Sequence, residues 1–183
     1  MDGSELRSLG HAWYAKILLM HIRLKAKLGI GGPEMDPDVV ERRLGVPATN
    51  RFRVGETTRG GHVRDAGGCV WETASESTRD SDPLVQSLLA PFRPLERVRQ
   101  LADEMHGWIF VEVVGYVDGD VSPMNSSDYG FISPAYELSR QSVADLAILG
   151  SSYSVDQYIG IDERPDADRT DDERTDSWYW GDP

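Results

Sequence analysis

Four arginines, Arg51, Arg53, Arg59 and Arg64, crowd into the glycine-punctuated stretch 50–68, with Glu56 and His62 among them. A guanidinium presents a planar fork of donors that matches a phosphate or carboxylate two bonds at a time, so such a stretch could hold an anion or an acidic partner. Trp71, just downstream, could wall a pocket beside it. The competing reading is a solvated loop paired with the chain's own acidic tail. Arg23, Lys25 and Lys27 lie at alternate positions earlier in the sequence and could extend the loop into one positive patch.

Other chemistries find less to work with. The four histidines, His11, His21, His62 and His106, have no short ligand spacing, and one cysteine excludes every cysteine-rich zinc pattern. Asp118, Asp120 and Asp128 flank a turn-rich segment and could ligate a hard cation, but a solvated hairpin loop is the preferred account of them. Cys69 and His62 form the one Cys/His pair close in sequence. A working pair also needs a lowered thiol pKa and an orienting third group, which nothing nearby supplies, so a half-buried strand cysteine is the expectation. Gly29-Ile30-Gly31-Gly32-Pro33 has neither the spacing nor the lysine of a phosphate-binding loop. No catalytic residue, metal or cofactor is assigned.

These residues need a scaffold. Met20 to Ile30 alternates strictly between apolar and polar, which predicts a strand with one buried and one solvated, basic face, ended by Gly31-Gly32-Pro33. Asp36 then reads as an N-cap, Pro37 as the first helical residue and Gly45 as a left-handed C′ residue, so a helix of about eight residues follows. A helix that short is marginal alone and must dock on the sheet. Residues 50–68 read as a long loop and Val70–Thr73 as a short strand. Asp82-Pro83 repeats the cap-plus-proline signal for a helix through Ala90, and Leu95 to Met105 gives another. Trp108–Val117 is nearly all apolar, as in a strand covered on both faces. Tyr129–Leu138 suits an edge. Ser139 or Ser142 caps a last helix with Val143, Leu146, Ala147 and Leu149 inward, and Val155–Ile161 adds an edge strand. The sum is an α+β domain, a mainly antiparallel sheet with helices packed on one face, of which the ferredoxin-like arrangement is one form. Leu44-Gly45 and Leu149-Gly150 could mark a duplicated strand–helix–strand unit.

Residues 1–15 read as an N-terminal extension, 16–161 as the domain and 162–183 as an acidic, disordered tail. The net charge of −12 is concentrated: residues 1–110 carry 15 basic and 15 acidic residues, and residues 111–183 carry 4 basic against 16 acidic. An acidic C-terminal third repels phosphates and favours a basic protein partner, so nucleic acid is disfavoured. Trp178 and Trp180 flank Tyr179 within the tail and could dock on the body or on a partner. No signal peptide or apolar membrane span is recognisable, and a soluble, cytoplasmic protein is expected.

DPDVVERRLGVPAT, RVGE, CVWETAS, FVEVVGY and SPAYELSRQSVADLAILGSSYSVDQY together resemble a bacterial family, the domain-of-unknown-function group numbered 4279, over roughly residues 20–160. The resemblance implies a small cytoplasmic α+β domain with no catalytic residues to carry over, and some members look like immunity or accessory proteins of bacterial conflict systems. The functional expectation is a non-enzymatic protein-interaction module, inhibitor-like and suited to a basic partner. Its speculative contacts are Arg51, Arg53, Glu56, Arg59, His62, Arg64, Trp71, Trp178 and Trp180. The alternative is a small enzyme or anion-binding domain built on loop 51–64.

Overall fold

The alternating segment forms strand β1, His21–Gly32, in the computed structural model, which describes residues 21–58, 60–118 and 136–159. There follow α1 (Pro37–Leu44), β2 (Asn50–Phe52), β3 (Gly67–Glu72), α2 (Asp82–Leu89), a 3-10 turn (Ala90–Phe92), α3 (Glu96–Glu104), β4 (Trp108–Asp118), α4 (Arg140–Leu149) and β5 (Ser152–Ile159). The extension 1–15, the tail 162–183, Asp120, Asp128 and the segment 129–135 lie outside the described residues, and Tyr136–Leu138, expected as part of an edge strand, form none.

The sheet order is β2-β3-β1-β4-β5. β1 pairs antiparallel with β3 and β4, and β2 antiparallel with β3, while β4 and β5 run parallel. Two successive antiparallel pairings make β2 parallel to β1 with β3 inserted between them. The same logic makes β4 parallel to β3 with β1 inserted. These two split β-α-β units are the ferredoxin-like arrangement. α4 and β5 are an addition to it, a parallel strand laid beside β4. The two Leu-Gly endings therefore do not mark equivalent units: α1 belongs to a split unit, whereas α4 precedes a strand directly adjacent to β4.

Alternation along β1 decides which side faces the helices. Leu24, Ala26, Leu28 and Ile30 join Val40, Leu84, Leu89, Val98, Leu101, Val111, Val113 and Leu149 in one core. Trp71 closes its α1 end, fully buried, with its Nε1 donating to the Val46 carbonyl at 3.1 Å and its ring edge-on to Phe92. Strand β1 includes Gly31 and ends at Gly32, just before Pro33. Gly29 and Gly31 lie beneath aromatic rings of β4, and a Cβ on them would sit 1.8 Å from Phe110 and 2.3 Å from Trp108. The glycines are therefore a platform for close ring approach as well as a strand terminus.

The caps behave largely as the sequence predicts. Asp36 Oδ1 accepts from the Asp38 N–H at 2.9 Å, and Gly45 closes α1 at φ 69°. Ser139 Oγ accepts from the Ser142 N–H, and Gly150 closes α4 at φ 61°. Asp82 differs: it lies inside α2, and its carboxylate accepts from the Ser139 N–H at 2.8 Å and the Ser142 hydroxyl at 2.5 Å. α4 differs too. Its inward residues are Ser142, Asp145, Leu146 and Leu149, whereas Val143 and Ala147 are exposed, because the seam it covers is partly polar.

Candidate functional site

The expected long loop is an extended hairpin. Asn50 pairs with Val70, Arg51 with Cys69 and Phe52 with Gly68, and beyond the sheet Thr57 bridges Val63 in the same register. Between these points the Gly55 N–H donates to the Arg64 carbonyl at 2.8 Å and the Arg64 N–H to the Glu56 carbonyl at 2.9 Å. At the tip the Gly61 N–H bonds back to Thr58, and Gly55 and Gly61 take φ near 80° as only glycine does easily. Of the glycines that suggested a loop, Gly55 and Gly61 are turn residues of an arm that extends from the β2–β3 edge, and Gly67 and Gly68 are buried residues of β3 itself.

Two of these arginines, Arg51 and Arg53, are committed at home. Arg51 reaches Asp38 at 3.2 Å and Glu41 at 3.0 Å, and Arg53 reaches Asp36 at 3.3 Å and Asp38 at 2.5 Å. The hydrogen bond from Arg53 holds the Asp38 carboxyl below its ordinary range. The Glu56 carboxylate accepts from the Arg53 N–H, closing a turn rather than facing a ligand. The guanidinium of Arg64 lies 5.2 Å from the centre of the Phe52 ring, and its Nε is buried without a hydrogen-bond partner. His62 is exposed near the tip, its N–H donating to Thr58 Oγ1. Trp71 belongs to the core and lines no surface. Arg59, Trp178 and Trp180 lie outside the described residues.

The basic side of β1 is likewise matched across strands rather than merged with the arm. Lys25 Nζ lies 2.5 Å from Glu72 and Lys27 Nζ 3.3 Å from Glu112, and Arg23 stacks over Tyr116 at 5.8 Å. No single positive patch forms from these described residues. Instead the arm shows apolar surface: Val54 and Val63 are 51% and 66% exposed. The alternation Thr57-Thr58 against His62-Val63 about a Gly-Gly pair is the hairpin signal that could have located them in the sequence.

Cys69 is fully buried, not half-buried. Its Sγ donates to the Pro37 carbonyl at 3.4 Å, and burial, reinforced by Glu41, pushes its pKa up to about 12. A thiol so held is a poor nucleophile, and the arrangement does not make a Cys69–His62 dyad. Among the described residues no group of three His, Cys, Asp or Glu side chains is placed to hold a metal ion, and no helix is long and apolar enough to cross a membrane.

The densest polar cluster was not anticipated. Asp145, fully buried on α4, accepts from Arg93 at 3.2 and 2.5 Å, from Gln86 at 3.1 Å and from Gln141 at 3.0 Å. Gln86 also donates to Ser142, which bonds Asp82. Burial opposes ionisation of Asp145, yet the bonds from Arg93, Gln86 and Gln141 outweigh it and hold the carboxyl below its usual range. The network ties α4 to α2 and the segment before α3. An acid amid the apolar run Val143–Ile148 was its one sequence signal.

Neither a curated protein nor a solved structure matches the chain. One family model does, that of the Domain of unknown function (DUF4279), over residues 22–160. Those residues span every strand and helix described above apart from the first residue of β1, and the chain belongs to the DUF4279 family.

Proposed function

We propose that the chain is a non-catalytic protein-interaction module of a bacterial cytoplasm, inhibitor-like, that engages a basic partner through the projecting arm and its acidic C-terminal third. One observation carries this reading: the arm spends Arg51 and Arg53 on the carboxylates of α1 while leaving Val54 and Val63 exposed. A surface of that kind loses little on desolvation and offers apolar contact at the centre of an interface, with charge around it. The acidic residues downstream of residue 110 would steer a basic protein toward it and make the encounter salt-sensitive.

The test is affinity capture at low salt with the full chain, a Val54→Asp/Val63→Asp variant, and a chain ending at Ile161. The expected result is a basic protein retained by the full chain, released as salt is raised, and lost by both variants. Nothing retained, or equal retention by the arm variant, would overturn the proposal.

The buried, unpartnered Nε of Arg64 supports a second reading, an anion-binding site beside Phe52. Calorimetric titration with inorganic phosphate reads it directly. Binding lost in Arg64→Lys would favour that function, and no heat at millimolar phosphate would remove it.

A further inference from the structure

From the long edge of the sheet we infer that two copies of this chain pair through β5, antiparallel about a two-fold axis at Val155, joining their sheets into one. Strand β5 has a single neighbour among the described strands, β4, and so one of its sides carries no described pairing. The residues Ser152-Tyr153-Ser154-Val155-Asp156-Gln157-Tyr158-Ile159 contain no lysine, arginine or proline, and Asp156 is the one charge among them that could keep the edge from pairing. Val155 shares the helix-bearing face with its neighbour Val113, yet it is 41% exposed where Val113 is buried.

Register selects the axis. Residues directly opposite in an antiparallel pair point to the same face of the sheet, so the axis must pass through a residue. An axis at Asp156 sets two like carboxylates against each other, which is destabilising. An axis at Ser154 ends the overlap at Ser152 and Asp156, because Gly150 has turned the chain at φ 61° just before the strand. The axis at Val155 overlaps the strand from Ser152 to Tyr158. It sets Val155 against Val155 of the second copy and gives each Asp156 a Ser154 hydroxyl opposite. Only this register combines long overlap, apolar contact at the centre and charge compatibility. The occupant it specifies is the same sequence run in the opposite direction, a second copy of the chain.

Cysteine scanning on the full chain tests both the dimer and its axis. Residues facing each other across antiparallel strands have Cα atoms about 4.5–5.5 Å apart, within the range a disulfide spans. Val155→Cys is therefore expected to form an intermolecular disulfide under mild oxidation, with buried Cys69 unreactive. Ser154→Cys and Asp156→Cys should each cross-link poorly alone and well when mixed. Sedimentation of the unmodified chain should show concentration-dependent dimer, shifted at least tenfold toward monomer by Val155→Asp. A monomer at every concentration, cross-linking indifferent to position, or a dimer untouched by Val155→Asp would overturn the inference. A monomer that takes up a strand from a different protein at this edge would also overturn it.

Discussion

Strand β2 gives three residues to one edge of the sheet, and β5 gives eight to the other. The β2 edge is brief, bears Arg51 ion-paired to α1, and leaves the sheet at once as the arm. The β5 edge is long and carries Asp156 as its one charged residue, and the helix that leads into it, α4, is fastened to α2 and Arg93 by the buried Asp145 network. The ferredoxin-like part of the sheet thus ends on a protected edge, and the added α4–β5 unit ends on one that has no neighbour among the described strands. Exposed ion pairs can block an edge without contributing much to stability. Fastening an added unit takes buried, fully partnered groups.

The largest effect expected from this contrast is kinetic and concerns the β2 edge. Cys69 sits opposite Arg51 and beneath α1, so its thiol becomes available only when that edge opens. A pKa near 12 against an ordinary 9 lowers the thiolate fraction about a thousandfold. Labelling by a disulfide reagent at pH 8 should be at least that much slower than for the unfolded chain. Rapid labelling of the native protein would show that the β2 edge is open much of the time.

Asp145→Ala should be the most damaging polar change at the other edge. It strips the charged acceptor from Arg93, Gln86 and Gln141 together, and about 2 kcal/mol of stability should go with it, read from denaturant melts. A loss below about 0.5 kcal/mol would mean that apolar packing alone holds α4.

Acid should loosen the Asp82 and Asp145 network in a predictable sense. Asp82 and Asp145 have folded-state pKa values below their unfolded ones, Asp82 chiefly through its hydrogen bond from Ser142. Their contribution is therefore fully present above the ordinary aspartate range and is lost as pH falls through the depressed folded values. Hydrogen exchange, corrected for intrinsic rate, should show β5 amides losing protection early in that descent. Asp145→Asn should weaken protection at neutral pH and flatten the acid response. Unchanged acid sensitivity in that variant would place the titration elsewhere.

The smallest effect belongs to the guard itself. Arg51→Ala with Arg53→Ala should leave the denaturation midpoint close to that of the parent, the two converging as salt is raised, since both guanidinium groups are exposed and only Glu41 among their partners is partly buried. A large loss would show that the arm's ion pairs hold the edge as firmly as the network holds α4.

What could be read from the sequence followed the physics of local signals. Alternation from Met20 to Ile30 is a property of neighbouring residues, and so are the Asp36-Pro37…Gly45 and Ser139…Gly150 caps; each marks its element to within a few residues. The α+β class and the family resemblance rest on the same kind of signal. The destination of Arg51 and Arg53 did not, because their partners Asp36, Asp38 and Glu41 reach them only through the fold. Trp71 could have lined a site or filled a core, and the Val46 carbonyl that receives its N–H decided the matter. Glycines 55, 60, 61, 67 and 68 suggested a loop because composition does not reveal register. Asp145 and Val143 changed places relative to the apolar pattern because α4 covers a seam where Gln86 and Arg93 wait for an acceptor.

The single register running from Asn50–Val70 to Thr57–Val63 has a consequence for how this chain can change. Residues added or removed in equal numbers on the two sides of the Gly60-Gly61 tip preserve every pairing at the base. The reach of the arm alters by about 3.4 Å for each matched pair, and Cys69, Trp71 and α1 register none of it. The molecule therefore carries a part of adjustable length on a body of fixed shape. A lineage, or an engineer, could retune what the tip touches by lengthening, shortening or replacing that span, with the five strands left as they are.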